Sequence, residues 1–296
     1  MTPLWRVSRA SAEGVLAVKY RVVGQDGHSL GGPFYYIENG MGTKWKWLAK
    51  IFAFFGMCVG LMGIGTITQV NGITSAAKSF FYKDGAHTIS LFGRDYSWAI
   101  VISAMQKGIA RGIFSNEAGL GSAPIAAAAA KTNEPVRQGL VSMTGTFIDT
   151  IIICTMTGLS IVITNAYAQG FADVNVTIYA FTKGLPFSAT VCSFIVLICL
   201  SFFAFTTILG WDYYSERCLE YLSQGNKTAL ISFRWLYILA VLVGPFLTVS
   251  AVWTIADIFN ALMALPNLVA IFALSGVVVA ETKLYFDRLG KGEIKE

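Results

Sequence analysis

The sequence predicts an all-α polytopic membrane protein, and three features of its 296 residues support that prediction. Hydrophobic residues make up 55% of the chain and charged residues only 13%, about half the charged fraction of an ordinary soluble protein. Several apolar segments are long enough to cross a bilayer, for which an α-helix needs about 20 residues. Many of the 29 glycines lie within apolar runs, as is typical of closely packed membrane helices.

Five apolar segments meet the length requirement for a crossing: residues 47–70, 139–164, 185–211, 229–253 and 254–280. A sixth crossing is interrupted. Residues 98–105 are too few to span, whereas residues 108–130 are long enough but contain Arg111, Glu117 and a glycine cluster. Together they predict one discontinuous crossing, which brings the total to about six.

Lysine and arginine in the loops predict the orientation, because these residues are enriched on the cytoplasmic side. The tail at 281–296 is basic, and so is the segment at 1–46, so both termini are predicted to be cytoplasmic. The loop at 78–97 carries Lys78, Lys83 and Arg94 against the rule. No signal peptide is expected, since charges interrupt the first 23 residues. The predicted location is a cell inner membrane or plasma membrane, with the chain in contact with lipid on several passes.

Composition and spacing disfavour several other functions. Four of the five cysteines lie in apolar runs without metal-ligand or thioredoxin spacing, so we expect no disulfide and no metal site. The net charge of +5 is spread over loops, so nucleic acid is not an expected partner. His28 and His87 lie in predicted loops, and no nucleophile and base pair occurs. A membrane enzyme is therefore disfavoured.

The segment at 108–124 combines membrane depth with residues that interrupt a helix, namely Ser115, Asn116, Gly119 and Gly121. Ser122 followed by Pro124 is typical of the capped start of a new helix through residues 126–130. The pattern predicts a broken helix at 115–122. Transporters use such breaks because freed carbonyls can bind a cation and the second half-helix can meet a substrate carboxylate. The alternative is an ordinary cytoplasmic or re-entrant loop.

Other polar residues in apolar surroundings leave two interpretations open. Asp149 costs about 2.5 to 3.5 kcal/mol at a helix centre; it is either an ion or proton site, or a structural partner of Arg111 or of hydroxyl groups. Gln69 shares a helix face with small residues, so it either binds substrate or joins helices. Thr206 and Thr207 either bind a cation or bond to their own helix, and Trp211 either walls a ligand site or anchors the interface.

Motifs along nearly the whole chain resemble those of one transporter family. They are GGPFYYIE at 31–38, GIARGIFSNEAGLGSAP at 108–124, VRQGLVS at 136–142 with TFIDT at 146–150, TILGW at 207–211 with ERC at 216–218, and DIFN at 257–260 with PN at 266–267. In these motifs the chain resembles the alanine or glycine:cation symporters, also called the sodium:alanine symporter family.

The resemblance implies a LeuT-type fold of two inverted five-helix repeats and sodium-coupled symport of alanine or glycine. Residues 1–46 would be a cytoplasmic segment and loop, 47–107 a remnant of the first repeat, 108–280 the second repeat, and 281–296 a cytoplasmic tail. By matching positions, it implies substrate contacts at Gln69, Phe114, Ser115, Asn116, Gly119 and Trp211. It implies Na⁺ contacts at Thr206 and Thr207, and it leaves Arg111, Glu117 and Asp149 as structural ionisable residues.

The chain departs from the family pattern in two places. It begins near the end of the family's helix two, and between Ile102 and Gly108 it passes almost directly into the helix six motif. A second hypothesis is therefore a truncated, non-transporting membrane fragment. Under the first hypothesis the partners are a small amino acid, the lipid bilayer and Na⁺ as coupling ion, with no other cofactor. Alanine versus glycine and Na⁺ versus H⁺ stay open.

Overall fold

The computed structural model describes residues 2–24, 27–62, 108, 112, 115–171, 174–246 and 249–294. Over these residues the chain is mostly helical, which confirms the predicted all-α membrane class in its coarse form. A small antiparallel hairpin joins the first two helices. In it Val22–Val23 (β1) pairs with Ser29–Leu30 (β2), with Val22 opposite Leu30.

Eleven α-helices are described, together with one π-helical turn. In chain order the α-helices are α1 (Thr2–Lys19), α2 (Pro33–Gly40), α3 (Lys46–Met62), α4 (Ala123–Ala127), α5 (Pro135–Phe147), α6 (Cys154–Ile163), α7 (Val174–Gly184), α8 (Ala189–Ser223), α9 (Lys227–Val243), α10 (Val249–Ala273) and α11 (Ser275–Gly290). The π-helical turn, Ile148–Ile153, joins α5 to α6. Short 3-10 turns lie at Thr43–Trp45, Ala166–Ala168 and Gly244–Phe246.

Four helical stretches within the described residues are long and apolar enough to cross a membrane: Thr43–Met62, Pro135–Ile163, Ala189–Ser223 and Trp253–Ala273. Each coincides with one of the predicted crossings. The crossing predicted at 229–253 corresponds to α9, whose 17 residues end before Gly244 and Pro245. Gly244 keeps helical geometry, with φ of −45° and ψ of −46°, but Pro245 has no backbone N–H to continue the α-helical hydrogen bonds, and the chain passes into the 3-10 turn Gly244–Phe246. The number of crossings and the inverted repeats stay predictions.

Several helix ends differ from the apolar boundaries. Helix α8 continues through Ser223, so most of the stretch between the crossings predicted at 185–211 and 229–253 is helical. Its 35 residues make it about 52 Å long, well beyond the roughly 30 Å of a hydrocarbon core. The crossing predicted at 254–280 divides at Leu274, which separates α10 from α11. Hydropathy locates only the apolar part of a helix and not its polar continuation into water.

The first part of the segment at 1–46, predicted as a cytoplasmic segment and loop, forms helix α1, which packs along α5. Its residues Val15 and Leu16 are fully buried, and so is the charged residue Glu13. The helices approach closely where Gly14 meets Gly139, because a Cβ atom on Gly14 would lie 2.9 Å from the Gly139 Cα. Hydropathy did not mark this helix because charged residues interrupt its apolar run, although one of them, Glu13, lies inside the protein.

The main hydrophobic core lies where α3 packs against α2, α8 and α10. Its largest buried side chains include Phe34, Phe52, Trp211 and Met263. By contrast, large apolar residues on the outer faces of α6, α8 and α9 are exposed, as a lipid-facing surface requires. The core therefore holds α8 and α10 in fixed positions beside the broken segment.

Candidate functional site

The backbone leaves helical geometry inside the predicted break at 115–122. Ser115 and Asn116 are helical, after which Glu117 adopts a left-handed conformation with φ of 55°. Gly119 and Gly121 also have positive φ, at 94° and 90°, and helix α4 begins two residues later. A left-handed conformation is uncommon for a residue with a side chain, so the turn at Glu117 is held by its surroundings.

Gly121 sits at a point of close approach where no side chain fits. A Cβ atom there would lie 2.7 Å from both Phe52 Cε2 and Pro33 Cγ, and 2.9 Å from Asn267 Cγ. These contacts come from α3, α2 and α10, so all three helices pack closely against the broken segment. Glycine is required here both by the positive φ and by the space.

The second half of the break differs from its prediction. Ser122 does not cap α4; its hydroxyl donates instead to Glu117 Oε2 at 2.7 Å. Helix α4 has five residues and ends at Ala127, earlier than predicted. Beyond it, the Arg21 guanidinium donates to the carbonyl oxygens of Ala128, Ala130 and Thr132 at 3.2, 2.7 and 2.7 Å. The arginine satisfies the carbonyls that a longer helix would have paired internally.

A cavity of about 300 Å³ lies between the broken segment and α8. Its lining residues are Ser115, Asn116, Glu117, Thr206, Thr207, Gly210, Trp211 and Tyr214. Five of these were nominated as substrate or cation contacts from the sequence, although the two groups are about 90 residues apart in the chain. The fold thus brings the two predicted groups to opposite walls of one space.

The α8 wall combines an aromatic surface with hydroxyl groups. Trp211 is only 1% exposed and stacks edge-on against Tyr214 at 5.5 Å, so it is not an interfacial anchor. The hydroxyls of Thr206 and Thr207 each donate to the Phe203 carbonyl at 2.9 Å, as the structural alternative predicted. A hydroxyl that donates to its own helix still has oxygen lone pairs that can accept or coordinate.

The broken segment is tied on its other side to the π-helical turn. The Ser115 hydroxyl donates to Asp149 Oδ2 at 2.8 Å, and Asn116 Nδ2 donates to Thr150 Oγ1 at 2.6 Å. Asp149 therefore has a hydroxyl partner, one of the structural alternatives for this residue. Arg111, the other predicted partner, lies outside the described residues, as do the candidate substrate contacts Gln69 and Phe114.

Among the substrate candidates that the structure describes, Gly119 does not line the cavity. Its N–H donates to Glu13, and its carbonyl accepts from Asn267 Nδ2 at 3.0 Å. The sequence pattern did not single out Glu13, because a charged residue in a basic N-terminal segment resembles a loop residue. The available signal was its position in the otherwise apolar stretch from Ala12 to Val18.

A metal centre is not part of the described arrangement. In the part of the chain that the structure describes, no three His, Cys, Asp or Glu side chains lie close enough together to hold a metal ion. What the cavity offers is hydroxyl and amide oxygens, one carboxylate and an aromatic wall. Such groups suit a small polar ligand or a hard monovalent cation.

Comparison with known proteins adds an independent finding. The model of the sodium:alanine symporter family matches residues 2–93 and 90–296. An uncharacterized transporter of Haemophilus influenzae is 44% identical over 341 residues, covering 94% of this chain and 74% of that protein. The sodium/alanine symporter AgcS of Methanococcus maripaludis is 38% identical, covering 100% of this chain and 78% of its own length. The probable sodium/glutamine symporter GlnT of Bacillus subtilis is 40% identical over 62% of this chain and 38% of its length.

Proposed function

The chain belongs to the sodium:alanine symporter family, and we propose that it carries out sodium-coupled symport of a small neutral amino acid, alanine or glycine, across the plasma membrane. The family consists of transporters and not of enzymes. Of the relatives described above, AgcS is a sodium/alanine symporter and GlnT is a probable sodium/glutamine symporter. The choice of alanine or glycine therefore rests on the site.

The cavity between the broken segment and α8 is the observation that supports this proposal. At about 300 Å³ it lies at the small end of ligand pockets, which range over roughly 300–1,000 Å³. Trp211 limits the room for a ligand side chain, while Ser115 and Asn116 present polar groups for its charged ends. The outward lone pairs of Thr206 and Thr207 would contribute oxygen ligands to Na⁺.

A second candidate function has its own supporting observation. The family model matches the chain in two parts that overlap at residues 90–93, upstream of the junction predicted between Ile102 and Gly108. The alignment with the Haemophilus influenzae transporter runs over 341 residues although this chain has 296, so that relative carries internal residues that this chain lacks. The chain is a shorter member of the family. The alternative is that it is a membrane fragment of such a symporter that does not transport.

Uptake into proteoliposomes separates the two functions. The purified chain is reconstituted, and labelled alanine and labelled glycine are supplied outside with an inward gradient of Na⁺ or of choline. Uptake that requires the Na⁺ gradient supports symport, and the preferred label identifies the substrate. Uptake driven by a pH gradient without Na⁺ would replace Na⁺ with H⁺ in the proposal. No uptake above empty vesicles in any arm would reject transport and favour the fragment.

The site assignment is tested with Asn116→Ala. This substitution removes an amide that lines the cavity and also the hydrogen bond to Thr150. We expect the alanine concentration for half-maximal uptake to rise about tenfold, the loss of one buried hydrogen bond of about 1.4 kcal/mol. The matched control is Ser223→Ala, at the far end of α8. Equal effects of the two substitutions would reject the assignment.

A further inference from the structure

We propose that Glu13 is a positioning residue of the transport site: its buried carboxylate holds the Gly119 peptide and thereby sets the shape of the broken segment that lines the cavity. The residue lies on α1 and does not touch the cavity itself. The effect on transport rests on the proposed function, whereas the effect on the backbone does not.

The carboxylate of Glu13 is aimed at one backbone group. Glu13 is 1% exposed, and both of its oxygens lie 3.1 Å from the Gly119 nitrogen, which donates to them. Burial raises the pKa of the Glu13 carboxyl to about 7, whereas the hydrogen bonds from Gly119 and Asn267 and the nearby Arg9 guanidinium favour its charged form. The placement of this side chain is therefore determined by the backbone N–H that it accepts from.

Asn267 on α10 holds the same residue from the other side. Its Nδ2 donates to Glu13 Oε1 at 2.6 Å and to the Gly119 carbonyl at 3.0 Å, and its Oδ1 accepts from the Tyr36 hydroxyl. Both amide hydrogens and the amide oxygen of Asn267 are thus used. The N–H and the C=O of Gly119 are both held by side chains from helices distant in sequence.

The backbone conformation of Gly119 favours glycine, and the Arg9 side chain packs against it. Its φ is 94°, and a Cβ atom would lie 2.5 Å from Arg9 Nη1 and 3.0 Å from Arg9 Cζ. The Arg9 guanidinium therefore packs directly on the glycine, and it also interacts electrostatically with the Glu13 carboxylate. Two side chains of α1, four residues apart and so on one helix face, converge on this single position.

The held peptide is connected to the cavity by two short hydrogen-bonded steps. The Leu120 N–H donates to the Glu117 carbonyl at 2.9 Å, and the Ala118 N–H donates to Asn116 Oδ1 at 3.1 Å. A displacement of Gly119 must therefore move Glu117 and Asn116, which line the cavity. The N–H and C=O of Gly119, which the resemblance implies as a substrate contact, are both engaged by protein side chains in this structure.

The test combines a backbone measurement with transport kinetics on the full chain. Glu13→Gln keeps the shape of the side chain and removes its charge, Glu13→Asp keeps the charge on a shorter side chain, and Glu38→Gln is a control carboxylate on α2. Hydrogen exchange of peptides covering 117–122 is measured in nanodiscs. The KM and the maximal rate of labelled alanine uptake are measured in proteoliposomes.

For Glu13→Gln we expect exchange at Gly119 to become about 10- to 100-fold faster and KM for alanine to rise by a similar factor, the range for one hydrogen bond to a charged group. Glu13→Asp should recover part of both effects, and Glu38→Gln should change neither. The maximal rate should change much less than KM. A variant that is only partly folded would show the opposite, because fewer active molecules lower the maximal rate and leave KM unchanged.

Unchanged exchange at Gly119 in Glu13→Gln would overturn the proposal, and so would a loss of maximal rate with unchanged KM. If the wild-type chain takes up no alanine, the proposed function fails, while the exchange measurement still decides whether Glu13 holds Gly119. If Glu13→Gln does not fold, Tyr36→Phe weakens the same arrangement more gently by removing one donor to Asn267. Exchange as slow as in the wild type would then contradict the proposal.

Discussion

The crossing of α1 and α5 gives a quantitative prediction for Gly139→Ala. A Cβ atom at Gly139 would lie 2.7 Å from Val15 Cγ2 and 2.8 Å from the Ser11 carbonyl oxygen, well inside the usual contact distance of about 3.5–4.0 Å. Neither neighbour can yield alone, because valine is stiff at χ1 and the carbonyl belongs to a helix. The two helices must separate by about 1 Å, and overpacking of this kind costs about 1–3 kcal/mol.

Gly145→Ala is a matched control on the same helix, because a Cβ atom at Gly145 meets nothing within 4 Å. Both substitutions gain about 1 kcal/mol from the higher helix propensity of alanine. Their difference therefore isolates the steric cost at the crossing. We expect Gly139→Ala to be about 1–3 kcal/mol less stable than Gly145→Ala.

The free energy of unfolding can be measured on the purified chain in mixed micelles, by titrating a denaturing detergent and following tryptophan fluorescence. Equal stabilities of the two alanine variants would refute the close crossing of α1 and α5. A Gly139→Ala variant more stable than Gly145→Ala would contradict the reasoning even more strongly.

Two further predictions concern charged groups outside the spans. Burial alone would raise the pKa of Glu38, but hydrogen bonds from Lys46 at 2.7 Å and Tyr221 at 2.5 Å outweigh it and lower the pKa below its ordinary 4.5. Because the pKa is lower in the folded protein, Glu38 contributes to stability above pH 4.5, and this contribution is lost as pH falls through the folded value. The free energy of unfolding should therefore fall more steeply with decreasing pH in the wild type than in Glu38→Gln. Parallel curves for the two proteins would contradict this. Arg21→Lys loses the guanidinium that donates to three carbonyl oxygens, so hydrogen exchange of the amides over 128–134 should accelerate about tenfold. The control Lys131→Gln, at an exposed neighbouring position, should leave this exchange unchanged. No acceleration in Arg21→Lys would contradict a stabilising role for these hydrogen bonds.

Part of the site could be predicted from sequence because it involves residues that are costly in a membrane. Ser115 and Asn116 interrupt an apolar segment, and Thr206, Thr207 and Trp211 form a polar and aromatic group in another. Each group is visible locally, and the structure places both at one cavity. Their common location follows from packing against α3 and not from any local pattern.

The rest depends on contacts between distant parts of the chain. Glu13 is 106 residues from Gly119 and 254 from Asn267, so the apolar stretch around it can suggest burial but cannot identify its partners. The helix ends at Ser223 and Val243 were missed for a different reason. Hydropathy responds to apolar side chains, whereas a helix ends where its backbone bonds end, at Gln224 with its left-handed φ or ahead of Pro245.

The number of residues in the π-helical turn at Ile148–Ile153, and not only their composition, determines which side chains face the broken segment. A turn of this kind accommodates one more residue than an α-helical turn before the helix resumes. Removing one residue there would let α5 run into α6 as an uninterrupted α-helix, with its apolar surface almost intact. Asp149 and Thr150, however, would rotate away from the hydroxyl and amide that they accept from. A deletion invisible to hydropathy would thus leave the helix in the bilayer and release the broken segment.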